Sequence, residues 1–181
     1  RYGRLAEMMS ETNNSFGRQA IAHHSYSLRH WRCSMRKNID TLAGTCRVSI
    51  EANELENISF QMGAYLSVLL FSGMPFFNKD TLLEKYTEKS KQFRLPESWN
   101  VTGPYNTLMR LKGETALIIK NKYSDTKAIQ YELFFQTVTS IFMYDMDAAD
   151  KFNSKIFIMP GGCWGSYRVF MEGLIATHYA Q

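Results

Sequence analysis

Cysteine is scarce in this sequence, and its few thiols are widely spaced. Cys33, Cys46 and Cys163 are the three cysteines among 181 residues. An odd and sparse set argues against a disulfide framework and is typical of a protein from a reducing compartment. No Cys-x-x-Cys pair is present, so no cysteine-pair zinc site is expected.

Motifs that cradle phosphate are also missing. Neither G-x-x-x-x-G-K-[ST] nor G-x-G-x-x-G occurs, which argues against P-loop and Rossmann nucleotide sites. An uncharged stretch covers residues 57–78, but Asn, Gln, Ser and Pro interrupt it, so it predicts a buried core helix rather than a membrane span. No signal peptide is visible, and we expect an intracellular protein or a virion component.

The composition is that of a folded protein whose positive charge is concentrated near the start of the chain. Hydrophobic residues make up 45% of the sequence and aromatic residues 14%, so extensive disorder is not expected. The net charge is +4, and residues 1–47 carry eight Lys or Arg against three Asp or Glu. A basic segment on a near-neutral body suggests an anionic partner.

Residues 15–44 are predicted to form one long amphipathic helix that ends at Gly44. Apolar residues recur there at the spacing of one helix face. These are Ile21, Leu28, Trp31, Met35, Ile39 and Leu42. Four arginines recur at helical spacing beside that face and would form a cationic stripe, namely Arg18, Arg29, Arg32 and Arg36.

The rest of the chain predicts helices first and strands later. Residues 45–51 alternate between apolar and polar side chains, as a half-buried strand does. Residues 53–73 and 80–92 have helical periodicity, and residues 145–150 suit one helical turn. Gly113-Glu114 predicts a hairpin, and further strands are predicted at 107–112, 115–122, 128–144, 155–159 and 167–179, the last with a bulge at Gly173.

The predicted fold class is therefore α+β, with an antiparallel sheet of about five or six strands. Residues 1–14 form an N-terminal arm, and residues 15–181 form one domain. Residues 15–93 are mainly helical in this prediction, and residues 105–181 are mainly β.

The basic helix carries the leading functional hypothesis, which is nucleic-acid binding by a non-enzymatic structural protein. Arginine binds phosphate through two parallel hydrogen bonds and stacks on bases, and such contacts are largely independent of base sequence. The residues expected to contact RNA, or less favourably DNA, are Arg18, Arg29, Arg32, Arg36, Lys37 and Trp31. The same helix would also suit an anionic membrane surface, or it could pack on the body and present its arginines to a partner subunit.

In layout only, a basic helix before an aromatic-rich β body resembles small viral coat or matrix proteins. That resemblance implies a capsid-like or matrix-like protein that forms homo-oligomers. No cofactor is predicted.

Two other kinds of site were weighed. His23, His24, His30 and Cys33 cluster in the basic helix, but their spacing is incomplete for a metal site, and none is predicted. Residues 161–165 match G-x-C-x-G, so a thiol enzyme using Cys163 and His178 is an alternative function. The expected context between two strands is wrong for a nucleophile elbow, and a hairpin turn is favoured there.

Overall fold

The structure is a computed structural model, and its described part is helical throughout. The residues it describes are 5, 8, 15–27, 29, 33–73, 81–95, 99–113, 126–157 and 163–180. Their helices are α1 (Ser15–Ser27), α2 (Arg36–Glu51), α3 (Leu55–Ser72), α4 (Thr81–Gln92), α5 (Trp99–Leu111), α6 (Thr126–Phe142), α7 (Met146–Asn153) and α8 (Cys163–Tyr179). None of these residues lies in a strand, so the predicted α+β class is wrong.

The predicted strand 128–144 lies almost entirely within α6. Its β-branched and aromatic residues have only a weak preference against helix, and burial overrides it. The helix is buried on most of its surface, so no polar face reveals the helical period. The hydroxyls of its two buried threonines bond within the helix, because Thr137 donates to the Leu133 carbonyl at 2.9 Å and Thr139 to the Phe135 carbonyl at 2.7 Å.

The predicted strand 45–51 is the last part of α2, and Gly44 lies inside that helix rather than ending it. Cys46 and Ile50 are buried one helical turn apart, whereas Val48 between them is 39% exposed. Alternation and helical spacing are easily confused over so short a stretch, because residues four positions apart, such as Cys46 and Ile50, share a face in both a strand and a helix. The prediction that the helix ends at Gly44, made because glycine often follows the last residue of a helix, is therefore wrong.

The predicted hairpin at Gly113 is instead the end of α5. Gly113 has φ 75°, and its N–H donates to the Arg110 carbonyl at 2.9 Å, as in a helix C-terminus closed by glycine. The predicted strand 107–112 is thus wrong, and residues 114–125, which include the predicted strand 115–122, lie outside the described part.

The predicted strand 167–179 is also wrong, because Gly173 and its neighbours are helical. Residues 155–157 are not in a strand, and 158–162 are not described.

Three helices were predicted close to their observed positions. The periodic stretch 53–73 contains α3, the stretch 80–92 contains α4, and the helical turn at 145–150 is the start of α7. All three predictions are confirmed. α4 has a readable apolar face, and α7 begins with a clear capping residue. Asp145, for example, accepts the backbone N–H of Ala148 at 3.0 Å and so caps α7.

Helices α2, α4 and α6 end in the same way, with a non-glycine residue in the left-handed region. These residues are Asn53 (φ 54°), Arg94 (φ 51°) and Tyr144 (φ 59°). In each case the next N–H bonds at 2.9 Å to the carbonyl five residues earlier, which is the Schellman arrangement. The turns at Asn53 and Tyr144 are short, and they join α2 to α3 and α6 to α7 as helical hairpins.

The chain divides into two compact units, residues 1–101 and 102–181. In the first unit, α2 and α3 form the main helix pair, and α1 and α4 pack beside them. In the second unit, α6 and α7 form the main pair, and α8 packs on both. Within each unit, the principal contacts thus join helices that are one or two places apart in the chain.

Polar contacts attach α1 to the rest of the first unit. The Asn38 side-chain amide donates to the buried Ser25 carbonyl at 3.0 Å. The His23 ring stacks on Phe60 with 4.0 Å between ring centroids, and Arg18 forms an ion pair with Glu54. Apolar burial is greater between α2 and α3, where Leu42, Cys46, Ile50, Ile58, Met62 and Leu66 are buried.

Alanine substitutions at two glycines of the first unit should change the stability of the fold in opposite directions. A Cβ at Gly44 would meet nothing within 4 Å, so Gly44→Ala should stabilise the fold by about 1 kcal/mol through helix propensity. A Cβ at Gly63 would lie 2.8 Å from the Asn100 carbonyl carbon, so Gly63→Ala should destabilise by about 2 kcal/mol or more. Urea denaturation measures both, and a similar effect of the two substitutions would contradict this packing.

Candidate functional site

The predicted arginine stripe is divided by a break in the helix. α1 ends at Ser27 and α2 begins at Arg36, so Arg18 and Arg36 do not share a continuous helical register. Arg32 of the stripe and Trp31 of the adjoining apolar face lie outside the described residues. Each described basic residue therefore has its own surroundings.

Arg18 is a buried structural residue. It is 5% exposed, and its guanidinium forms an ion pair with the carboxylate of Glu54. Arg18 Nε also donates to Glu54 Oε2 at 3.3 Å, and the Ser49 hydroxyl donates to the same oxygen at 3.0 Å. The pair joins α1 to the turn before α3, so Arg18 is not presented to an external phosphate.

Arg29 and Arg36 also have internal contacts. Arg29 Nη1 donates to the Thr41 hydroxyl at 3.3 Å, and the Arg29 carbonyl accepts the Cys33 N–H at 3.1 Å. Arg36 Nε donates to the Ser72 carbonyl at 3.0 Å. The positive charge is favourable there, because the C-terminal end of α3 carries a partial negative charge. Arg36 thus satisfies a carbonyl at the end of α3, and Arg29 bonds to a side chain within α2.

The exposed side of α2 is not purely basic. Lys37 and Arg47 are exposed there, but so are Asp40 and Glu51 on the same helix. Mixed charges attract a polyanion less than a uniform stripe does, because nearby carboxylates offset the arginine and lysine field. The described part of α2 therefore offers a weaker phosphate surface than the sequence pattern indicates.

The histidine and cysteine cluster has a packing role where it is described. Partial burial against Phe60 lowers the pKa of His23, so its ring favours the neutral form. Within the described part of the chain, neither Cys33 nor Cys46 forms a disulfide, and His30 lies outside that part. Within the part that the structure describes, no three His, Cys, Asp or Glu side chains could together hold a metal ion.

Cys163 and His178 lie at opposite ends of α8. Fifteen residues separate them, which corresponds to roughly 22 Å along a helix axis. A nucleophile and its base must approach within hydrogen-bonding distance, about 3 Å. This pair does not have the geometry of a thiol active site.

One small pocket lies between α5 and α6 in the second unit. Its cavity volume is about 50 Å³, and its lining residues include Asn106, Arg110, Glu132 and Gln136. The buried Asn106 Oδ1 has no hydrogen-bond partner. The pocket is the size of a water site rather than of an organic substrate, since ligand pockets usually enclose about 300 Å³ or more.

Exposed apolar side chains are a feature that the sequence analysis missed. Among the described residues, those of the second unit are Leu111, Ile129, Phe142, Met143, Tyr144, Phe157, Val169, Phe170 and Tyr179. Single exposed apolar residues are ordinary, but grouped ones mark interaction surfaces. Two groups stand out here, and each is formed within the second unit alone.

The first group is the outer face of α8, defined here as Val169, Phe170, Gly173, Ala176 and Thr177. Val169 is 68% exposed and Phe170 is 62% exposed, and the other three are exposed as well. No charged residue belongs to this face. Arg168 and Glu172 flank it and neutralise one another at 2.9 Å.

The second group is the end patch, defined here as Phe142, Met143, Tyr144 and Tyr179 with the carboxylates of Asp145, Asp147 and Asp150. Tyr144 is 88% exposed, and its position at the turn between α6 and α7 displays the ring. The Tyr179 hydroxyl donates to Asp147 Oδ1 at 2.7 Å, which brings the end of α8 to the start of α7. The run of residues 141–150 contained this signal, but its aromatic residues were assigned to a strand.

No known family, curated protein or solved structure matches this chain. None of the described helices has the length and apolarity needed to cross a bilayer. Inference about function therefore depends on the surfaces described above.

A substitution of Arg18 should affect stability. Arg18→Ala leaves the Glu54 carboxylate buried without its cation, so we expect a loss of about 3 kcal/mol in the free energy of unfolding. Arg47→Ala, on the exposed side of α2, is the matched control and should change stability by less than about 0.5 kcal/mol. Urea denaturation measures both, and equal effects would show that the ion pair does not support the fold.

The end patch predicts an unusual titration for Tyr179. Hydrogen bonding to Asp147, together with partial desolvation and repulsion by the three aspartates, raises its pKa to about 12. The hydroxyl-to-carboxylate bond is thus complete below pH 10 and is lost as the pH rises through about 12. NMR of ring-labelled tyrosine, assigned with Tyr179→Phe, measures this pKa. Asp147→Asn should lower it toward 10, and an unchanged value would contradict the contact.

Proposed function

We propose that this chain is a non-enzymatic assembly protein that associates with a second copy of itself through the outer face of α8. The observation that carries the proposal is the exposure of Val169 and Phe170 on a face without charge. Fully burying such side chains contributes about 1.5–3 kcal/mol each. In a symmetric dimer the same residues are buried twice, once from each copy.

The small residues of this face support a close approach between two helices. Gly173 lies between Val169 and Ala176 on the exposed side, and a Cβ there would meet nothing within 4 Å of the chain itself. A second helix could therefore approach the backbone closely at Gly173, with Val169 and Phe170 packing beside it. The absence of charge matters because an identical copy would otherwise bring like charges together.

Sedimentation of the purified chain over a range of concentrations tests the proposal. The wild type should show a reversible monomer–dimer equilibrium, and Val169→Asp should remain monomeric because it would bury two carboxylates. Circular dichroism should show that this variant keeps its helices. A wild type that remains monomeric at every concentration would overturn the proposal, as would a Val169→Asp dimer of equal affinity.

Gly173→Ala separates an effect on dimerisation from an effect on the helix. Like Gly44, Gly173 is a helix-interior glycine with free space around it, so alanine should stabilise the isolated chain by about 1 kcal/mol at either position. Only Gly173→Ala adds a methyl group to the proposed contact. We expect it to weaken the dimer about tenfold, whereas Gly44→Ala should leave the dimer unchanged. An equal effect on dimerisation would contradict the use of this face.

The nucleic-acid interaction remains a prediction from the sequence. Among the described residues, the internal contacts of Arg18, Arg29 and Arg36 give it little support, so it is not part of this proposal. Sedimentation with RNA at low salt tests it directly. Flotation with anionic and neutral liposomes tests the membrane alternative.

A further inference from the structure

The end patch differs from the outer face of α8 in both shape and charge. It combines exposed rings with three carboxylates at the point where α6 ends and α7 begins. Phe142, Met143 and Tyr144 directly precede Asp145 in the chain. The Tyr179 hydroxyl bond to Asp147 holds a fourth apolar side chain beside the same carboxylates.

No basic side chain of the described residues forms an ion pair with the carboxylates of this patch. The Asp145 carboxylate accepts a hydrogen bond from the Ala148 N–H, and the Asp147 carboxylate accepts one from the Tyr179 hydroxyl. Both of these donors are uncharged. Across the described residues, the ion pairs within 4.0 Å are those of Arg18 with Glu54 and Arg168 with Glu172, so none involves these aspartates. Lys151 follows Asp147 by one turn and is exposed, which leaves the patch with a net negative charge.

We propose that the end patch is a docking surface for a segment of a partner protein that carries Lys or Arg beside apolar side chains. The charge of the patch selects this occupant, because a second copy of the patch would bring six aspartates together. A nucleic acid or an anionic membrane would be repelled in the same way. A cationic side chain can pair with Asp147 or Asp150 and also lie over the ring of Tyr144 or Tyr179.

The apolar part of the patch requires more than charge from the partner. Phe142 and Met143 are about half exposed, and Tyr144 projects almost entirely into solvent. A purely cationic peptide would leave these groups in water, whereas Leu or Phe beside the cation would cover them. The ligand is therefore an amphipathic basic segment rather than a polycation.

Three labelled peptides of equal length can test the proposal by fluorescence anisotropy with the full chain. One alternates Lys with Leu, one replaces every Lys with Glu, and one replaces every Leu with Ser. The Lys–Leu peptide should bind, and its affinity should fall as salt rises. The other two should bind at least about tenfold more weakly. Equal binding of the Lys–Ser peptide would overturn the apolar part of the proposal.

Charge variants show whether the Lys–Leu peptide binds at the end patch. Asp147→Asn with Asp150→Asn should weaken the Lys–Leu peptide about tenfold. Glu84→Gln with Glu88→Gln removes the same charge from exposed positions on α4 in the other unit, and it should leave binding unchanged. An equal loss with both pairs would mean that the peptide responds only to net charge, and the docking surface would be rejected.

Tyr144→Gly tests the apolar contact without endangering the fold. Glycine accepts the φ of 59° at this position more readily than tyrosine does, so stability should not fall. Peptide binding should nevertheless weaken about tenfold, because the most exposed ring of the patch is gone. Unchanged binding would exclude Tyr144 from the surface and overturn the proposal.

The proposal is independent of self-association through α8. Val169→Asp, which should abolish the dimer, should bind the Lys–Leu peptide with wild-type affinity. Loss of peptide binding in that variant would mean that the peptide occupies the outer face of α8 instead of the end patch.

Discussion

The way in which the helices end is the constraint on which this structure most depends. Asn53, Arg94 and Tyr144 each adopt a left-handed backbone conformation, and each closes a helix with the same pair of backbone bonds. A non-glycine residue in this conformation carries an energetic penalty of about 1 kcal/mol or more, so the surrounding bonds must fix it. At Asn53 and Tyr144 the turn sets the pairing of consecutive helices. At Tyr144 it also projects the ring that dominates the end patch.

A helix is easiest to predict from sequence where its polar and apolar faces differ. α4 has exposed Glu84, Lys85 and Glu88 opposite the buried Leu82 and Tyr86, and its pattern is readable without knowledge of any neighbour. α6 has no such contrast, because Gln130, Thr137 and Thr139 are buried along with its aromatic residues. The hydroxyls of the two threonines bond within the helix itself, so their polarity does not indicate where solvent lies. The second unit was therefore predicted as a sheet.

Candidate sites were harder to predict than helices, because the sequence does not show which charges are paired. Arg18 and Glu54 are 36 residues apart and belong to different elements, and only the folded chain brings them together. The described arginines of residues 15–44 do not form one exposed stripe. Arg18 is buried, Arg29 bonds to a hydroxyl group, and Arg36 bonds to a carbonyl group. Conversely, both surfaces that support the two proposals depend on ordinary apolar residues. Their exposure becomes known only when the packing is known.

The polar attachment of α1 has a consequence for local motion. α2 and α3 are held together by many small apolar contacts, which weaken gradually when the helices shift. α1 buries fewer apolar side chains, namely Ile21, Ala22 and Tyr26, and adds the Arg18–Glu54 pair, the Asn38–Ser25 hydrogen bond and the stacked His23 ring, which are directional and few. Such contacts fail together once their geometry is disturbed, so α1 should open as a cooperative segment before the α2–α3 hairpin does. The amide hydrogens of α1 would then exchange with solvent through local opening, whereas those of the α2–α3 hairpin would exchange only through global unfolding.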